Sequence, residues 1–194
     1  MADQKISAMP SAATLTGAEL VPMVQSGANV QATLDVIRAY DNAYGGFSDS
    51  NDQTGNVSSG TVMTFGTIDV SDGVTLVSAS QITVPNTGKY SLQFSAQFKN
   101  TDNAQEDVTV WLRINGVDLA NSATQYTIPA RKSAGIFGYG VASLTFLLDL
   151  AANDYVQIVW VPTSTTVTLE ALPASASPVY PAIPSIITTI FQVA

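Results

Sequence analysis

Apolar and polar residues alternate with a period of two in much of the sequence, which is the pattern of β-strands with one buried face. The alternation is clearest in residues 92–98 and 108–114. Asn115-Gly116 follows directly and favours a type I′ hairpin turn, because both central residues of that turn need positive φ. Further strands are predicted at residues 68–70, 81–84, 125–128, 141–148, 155–161, 166–172 and 185–193. Eight or more strands at this spacing, with no helical period between them, predict an all-β sandwich.

The first 40 residues have a different pattern. Residues 19–25 are typical of a short strand, which Pro22 places at a sheet edge because proline lacks the N–H of a ladder hydrogen bond. Residues 26–29 are turn-forming, and residues 30–32 can return as the second strand of a hairpin. Thr33 is a suitable N-cap for a short helix over residues 34–40.

A hairpin and a two-turn helix bury too little surface to be stable alone. We therefore expect residues 1–40 to be a docking segment that becomes ordered against a larger partner, with packing on the main domain as the alternative. The residues expected to make that contact are Leu15, Leu20, Val21, Met23, Val24, Leu34 and Ile37. The composition of residues 41–60 predicts a flexible linker, so that the main domain covers residues 61–194.

Two predicted strands, residues 156–161 and 186–191, are apolar on both faces. Strands buried on both faces need cover on the second face as well. With no helix predicted in the main domain, that cover most simply comes from other copies of the chain. The charged fraction of 11%, against about 25% in an average protein, also suits burial in an interface. The alternative is a monomer with scattered surface hydrophobes.

The residue types present exclude most catalytic and metal chemistry. The chain has no cysteine and no histidine, which excludes thiol nucleophiles, Ser-His-Asp triads and Cys/His zinc sites. The formal charge of −8 argues against binding of nucleic acid, which needs a clustered basic surface. Paired carboxylates remain as a hydrolytic device, but Glu106-Asp107 are adjacent on a strand and therefore point to opposite faces. We expect no enzymatic activity, cofactor or metal.

Several segments together point to a family. They are GKYSLQFSAQF (residues 88–98), WLRING (111–116), ANDYVQI (152–158) and IPSIITT (183–189), and in the N-terminal region ISAMP (6–10) and LTGAELVP (15–22). The first four resemble C1q/TNF-like jelly rolls of tailed-bacteriophage virion proteins. The N-terminal pair is similar to attachment segments of phage tail fibres and head fibres. The resemblance covers roughly four fifths of the chain.

The resemblance implies a ten-strand jelly roll that forms a homotrimer and has no catalytic activity. It places the strands near residues 155–161 and 185–193 close to the three-fold axis, so the expected interface residues are Tyr155, Gln157, Val159, Ile187 and Phe191. No coiled-coil or β-helical shaft joins the N-terminal segment to the main domain, which suits a short knob on a capsid better than a long fibre.

These expectations combine into one functional hypothesis. The chain is expected to be a trimeric capsid decoration, cement or head-fibre protein, made in the host cytoplasm and docked on the major capsid protein or another virion protein through residues 1–40. We expect no secretory signal and no membrane segment.

The alternative is a short tail fibre or knob that binds a host-surface receptor, with a glycan as a further candidate partner. Aromatic rings can stack on sugars while polar side chains bind the hydroxyls. The residues considered for this role are Tyr126, Phe137, Tyr139 and Tyr180, with Asp118, Asn121 and Gln125 as polar partners.

Overall fold

The computed structural model describes residues 16, 18–34 and 43–193, which are almost entirely strands and loops. The chain divides into two compact units, Met1–Asn42 and Ala43–Ala194. The first contains β1 (Leu20–Gln25) and β2 (Ala28–Thr33). The second contains β3 (Tyr44–Asp49), β4 (Gln53–Thr54), β5 (Thr61–Val62), β6 (Thr67–Asp72), β7 (Thr75–Val77), β8 (Gln81–Thr83), β9 (Gly88–Asn100), β10 (Glu106–Ile114), β11 (Val117–Asp118), β12 (Thr124–Ile128), β13 (Gly138–Leu150), β14 (Tyr155–Pro162), β15 (Val167–Leu169), β16 (Ser175–Ala176), β17 (Val179–Tyr180) and β18 (Ile186–Gln192).

The first unit is the predicted hairpin. Strands β1 and β2 pair antiparallel, with Leu20 opposite Thr33 and Gln25 opposite Ala28. The turn is tighter than expected: Ser26 and Gly27 alone form it, at φ of 51° and 79°, which is the geometry of a two-residue type I′ turn. The helix predicted over residues 34–40 lies outside the described residues beyond Leu34.

The second unit is a sandwich of two antiparallel sheets, so the all-β sandwich expected from the alternation is confirmed. One sheet has the order β11-β10-β14-β8-β7, with β12 also paired to β10 and β5 to β14, and we call it the β14 sheet. The other has the order β4-β15-β9-β18-β3-β6, with β13 also paired to β9, and we call it the β9 sheet. The long strands β9, β10, β13, β14 and β18 therefore alternate between the two sheets along the chain.

The inward side chains of both sheets form one hydrophobic core. Phe98 of β9 and Trp160 of β14 meet in it with ring centroids 5.4 Å apart. The predicted type I′ turn after β10 is also confirmed, since Asn115 and Gly116 have φ of 51° and 81°. Asn115 fixes the turn against the start of β14, where its side-chain oxygen accepts a hydrogen bond from the Tyr155 N–H at 3.0 Å.

The described part of residues 41–60 is not the flexible linker that its composition predicts. Strand β3 lies inside the β9 sheet, between β18 and β6, and Phe47 is fully buried. The glycines that favoured a linker serve packing instead. A Cβ on Gly55 would meet the Trp160 ring at 2.8 Å, and one on Gly60 would meet the Trp111 ring at 2.6 Å. The sandwich unit therefore begins at Ala43 rather than at residue 61.

Candidate functional site

The outer face of the β9 sheet carries a continuous strip of uncharged side chains, which we call the uncharged band. Its members are Ser91, Gln93, Ser95 and Gln97 of β9, Val141, Ser143, Thr145 and Leu147 of β13, and Ile187, Thr189 and Phe191 of β18. Ile187 is 45% exposed, Phe191 46% and Leu147 68%. Large apolar side chains therefore stand in solvent on the central strand β18 and on the edge strand β13, on a face that is ordinarily polar in a water-facing antiparallel sheet.

An ion pair marks each end of the uncharged band. At one end, Lys89 Nζ lies 2.6 Å from Asp149 Oδ1, and both side chains are exposed. At the other end, Lys99 Nζ lies 2.5 Å from Glu170 Oε1, and these side chains are only 17% and 10% exposed. Between the two pairs, β9, β13 and β18 contribute no charged side chain to either face. Depletion of charge with retention of apolar side chains is the composition of an interface core.

The predicted interface residues fall into two groups. Ile187 and Phe191 lie on the uncharged band, exposed as an interface requires. Val159 is fully buried and Gln157 is 8% exposed within the single chain, so the prediction that these two residues contact another copy is wrong. Tyr155 also belongs to the β14 sheet, and its hydroxyl lies 3.4 Å from the place of a Cβ on Gly116.

The second face of β14 is covered by the chain itself. The Gln157 side-chain amide donates to Ser80 Oγ at 3.0 Å, and the Met63 N–H donates to the Ile158 carbonyl at 2.8 Å. Val159 lies beside the close approach of Gly60 and Trp111. Apolar residues on both faces of this strand therefore reflect a covering segment of the same molecule rather than a neighbouring copy.

A second cluster surrounds the buried ion pair, and we call it the aromatic cluster: Lys99, Phe137, Tyr139, Thr168, Glu170 and Tyr180. Lys99 Nζ lies 5.2 Å from the centroid of the Phe137 ring, within the range of a cation–π contact. Tyr139 and Thr168 are the cross-strand neighbours of Lys99 on β13 and β15. Tyr180 interacts electrostatically with Tyr139, so three of the four aromatic residues considered for sugar stacking are brought to one place.

The electrostatics of the aromatic cluster raise the pKa of Tyr139. Burial raises the pKa of the Tyr139 hydroxyl, and the neighbouring Glu170 carboxylate raises it further through its charge and as a hydrogen-bond acceptor, with Tyr180 acting in the same direction. A tyrosine hydroxyl is protonated at neutral pH in any case, so the Tyr139 O–H is a hydrogen-bond donor that faces the Glu170 carboxylate. The Glu170 backbone is fixed independently, because its N–H donates to the Gln97 carbonyl at 2.9 Å.

Two buried polar atoms of the aromatic cluster lack a hydrogen-bond partner. They are Glu170 Oε2 and Thr168 Oγ1, and among the described residues the Trp160 indole N–H in the core is the one other such group. Buried polar groups nearly always have a partner, and the exceptions call for an explanation such as a bound water or ligand. The sequence offers no signal for this arrangement, since Lys99 and Glu170 are 71 residues apart.

The other residues considered for sugar binding lie elsewhere. Tyr126 packs against the core, and its hydroxyl donates to the Ser143 carbonyl at 3.5 Å. Gln125 donates to Asp107 Oδ2 at 2.7 Å. Asp118 Oδ1 accepts from Arg113 Nε at 2.8 Å, and this hydrogen bond holds the pKa of the Asp118 carboxyl below its ordinary value. Asn121 lies in the loop between β11 and β12 with φ of 62°.

The hairpin unit divides the predicted docking residues between its two faces. Val21 and Met23 lie opposite Ala32 and Val30 on one face, and Leu20 and Val24 lie on the other. Leu20 is 59% exposed, Met23 42% and Val24 69%, while Val21 and Leu34 are half-buried. Leu15 and Ile37 lie outside the described residues. The hairpin thus presents apolar side chains on both faces.

The described residues contain no group of three or more carboxylates that could hold a metal ion. The acidic pair Glu106-Asp107 is committed to local contacts: Glu106 Oε2 accepts from the Thr163 hydroxyl at 2.5 Å, and Asp107 Oδ1 accepts from the Thr127 hydroxyl at 2.7 Å. In the part of the chain that the structure describes, no helix has the length and apolar character needed to cross a membrane.

Comparison with known proteins adds no family to these observations. No protein-family model matches the chain, and no curated protein matches it.

Proposed function

We propose that this chain is a structural protein of a phage virion, a trimeric capsid decoration, cement or head-fibre protein without enzymatic activity. The observation that carries the proposal is the uncharged band, an exposed, uncharged and partly apolar sheet face whose composition suits cover by another molecule. The sequence resemblance described above supplies the virion context and the three-fold symmetry.

The sandwich supports the C1q/TNF-like jelly-roll assignment through its strand order. Long strands that follow one another in the chain lie in opposite sheets, as in double-sheet jelly rolls with Greek-key connections. Ile187 and Phe191 are the interface residues that fit this arrangement, because they are exposed on the uncharged band.

The separate hairpin unit supports docking. A two-stranded hairpin is marginally stable in water by itself, and this one exposes Leu20, Met23 and Val24. Three hairpins on one trimer raise the effective concentration of each, so that weak single contacts with a capsid or other virion protein add up to stable attachment.

Removal of residues 1–42 tests this proposal. We expect the shortened chain to remain folded and to keep its oligomeric mass, because the sandwich unit begins at Ala43. We also expect it to be absent from virions assembled in its presence, whereas the full chain co-sediments with them. Incorporation of the shortened chain at the level of the full chain would contradict docking through the hairpin.

Receptor binding by a short tail fibre or knob is the second candidate. It is favoured by the placement of Phe137 and Tyr139 beside the Lys99–Glu170 pair, with Tyr180 interacting with Tyr139. Its test is adsorption: purified full chain should bind host cells and compete with virions for them. A chain that neither binds cells nor slows virion adsorption would contradict this candidate and leave the structural role untouched.

A further inference from the structure

We propose that the aromatic cluster is a binding site for the hydroxyl groups of a neutral saccharide. The inference rests on the second candidate function, receptor binding, and it names the site and the ligand class. Neither the uncharged band nor the hairpin unit takes part in it.

The unpartnered groups of the aromatic cluster match the hydrogen-bonding capacity of a sugar diol. Glu170 Oε2 lacks a donor and Thr168 Oγ1 lacks any partner. Lys99 Nζ has three donor hydrogens and hydrogen-bonds to Glu170 Oε1. One hydroxyl of a vicinal pair can donate to Glu170 while its neighbour accepts from Lys99. A saccharide can satisfy both Glu170 and Lys99, because each of its hydroxyl groups can donate and accept a hydrogen bond.

The charge of the cluster favours a neutral ligand over an ionic one. Lys99 and Glu170 neutralise each other at 2.5 Å with both side chains nearly buried. An anionic ligand would be repelled by the Glu170 carboxylate, and a cationic ligand would be repelled by the Lys99 ammonium. These repulsions are strong because the surrounding protein screens charges less than water does. Lys99 also already occupies the face of the Phe137 ring where a ligand cation would bind.

The rings of the cluster provide the apolar part of the site. Tyr139 is 45% exposed and Tyr180 37% exposed, so each has surface available to a ligand. The C–H face of a pyranose packs on such rings. A few fixed polar groups among aromatic side chains is the usual composition of a small-molecule site.

Access to the buried atoms requires a neighbouring side chain to turn aside, because Glu170 Oε2 and Thr168 Oγ1 are both covered in the unliganded chain. Phe137 lies at the end of the loop of residues 131–137, in which Gly135 has φ of 80° and residues 131–136 are exposed. The Phe137 ring lies over Lys99 Nζ, so it is the side chain that we expect to turn aside when a ligand binds.

Saturation-transfer NMR on the full chain tests the site directly. The probes are the methyl glycosides of glucose, galactose, mannose and N-acetylglucosamine, each titrated separately. We expect at least one probe to receive saturable transfer. Glu170→Gln should weaken its binding about tenfold, the effect of losing a charge-assisted hydrogen bond. Tyr180→Ala should also weaken it, and because Tyr180 is partly exposed this variant keeps the assay informative if Glu170→Gln does not fold.

The matched control is Asp149→Asn, which alters the exposed ion pair at the opposite end of the uncharged band and should leave binding unchanged. Absence of transfer to every probe would overturn the proposal, as would equal binding by the wild-type chain, Glu170→Gln and Tyr180→Ala. The two proposals can fail separately. Saccharide titration of the purified protein tests the proposed site, whereas adsorption to cells tests receptor binding.

Discussion

The substitution Ile187→Asp places a carboxylate in the middle of the uncharged band. Ile187 lies opposite Ser95 on β9 and Ser48 on β3, and it is 45% exposed in the single chain. The new carboxylate can therefore reach water in an isolated chain. Substitution at such a partly exposed position should cost the sandwich about 1 kcal/mol, so the variant is expected to fold.

The effect on assembly is larger. Full burial of an isoleucine side chain contributes about 1.5–3 kcal/mol, and roughly half of that remains to be gained when an interface covers the exposed part. An unpaired carboxylate buried in the same interface costs several kcal/mol. A loss of about 4 kcal/mol per copy, repeated in each of three copies, is enough to convert a micromolar trimer to monomers at any practical concentration, because each 1.4 kcal/mol changes an association constant tenfold.

Sedimentation equilibrium is the assay. The wild-type chain should sediment at three times the 20.3 kDa of one chain, and Ile187→Asp at 20.3 kDa with an unchanged circular dichroism spectrum. The control is Val117→Asp, which makes a similar change at a 71% exposed position on the β14 sheet and should stay trimeric. A three-chain mass for Ile187→Asp would refute the placement of the interface on the uncharged band.

Three further substitutions test the fold. Phe47→Ala removes a fully buried ring and should lower the free energy of unfolding by about 3–5 kcal/mol in a urea titration. The control Val57→Ala, at an exposed position nearby in the sequence, should lower it by less than about 1 kcal/mol. Equal small losses in both variants would mean that residues 43–60 do not pack as described. Gly116→Ala puts an L side chain at φ of 81° and should cost about 1–2 kcal/mol, so an unchanged unfolding midpoint would contradict the type I′ turn. The hydrogen bond from Arg113 lowers the pKa of Asp118 in the folded chain, so the ionised carboxylate contributes to the free energy of unfolding. This contribution is present above the pKa of Asp118 in the unfolded chain, and it is lost as the pH falls through the pKa of Asp118 in the folded chain. Asp118→Asn should therefore lose less stability than wild type between about pH 6 and about pH 3, and an identical pH dependence would argue against this contact.

The strands of the sandwich were predictable because their alternation is local. Strand β10 and the Asn115-Gly116 turn need only the residues beside them, since a period of two and a positive-φ turn are properties of short segments. Strand β3 was missed because Gly45, Gly46 and Ser48 are poor strand formers by composition. Pairing with β18 and β6 on either side outweighs that preference, and Phe47 was the one visible signal of a buried face.

The sequence of an apolar strand did not show whether its second face is covered by the same chain or by another copy. Residues of β14 and β18 both suggested contact with another copy, yet Val159 is covered by its own chain while Ile187 is exposed. The difference comes from the segment around Gly60, which is far from β14 in sequence. This segment packs on the β14 sheet beside Val159 and leaves Ile187 on the β9 sheet exposed.

The aromatic cluster depends on long-range contacts in the same way. Phe137, Tyr139 and Tyr180 could be singled out as loop or strand-end aromatics, but the pairing of Lys99 with Glu170 brings together residues from separate strands. The unpartnered Glu170 Oε2 is a property of that packing and has no counterpart in the local sequence.

Immunogold electron microscopy on intact purified virions tests the central proposal most directly. The antibody is raised against the sandwich unit, Ala43–Ala194, so that labelling does not depend on the docked hairpin. We expect gold particles distributed over the head, as for a protein that decorates the capsid. Label confined to the tail would contradict the capsid role and favour receptor binding, and virions without label would contradict both.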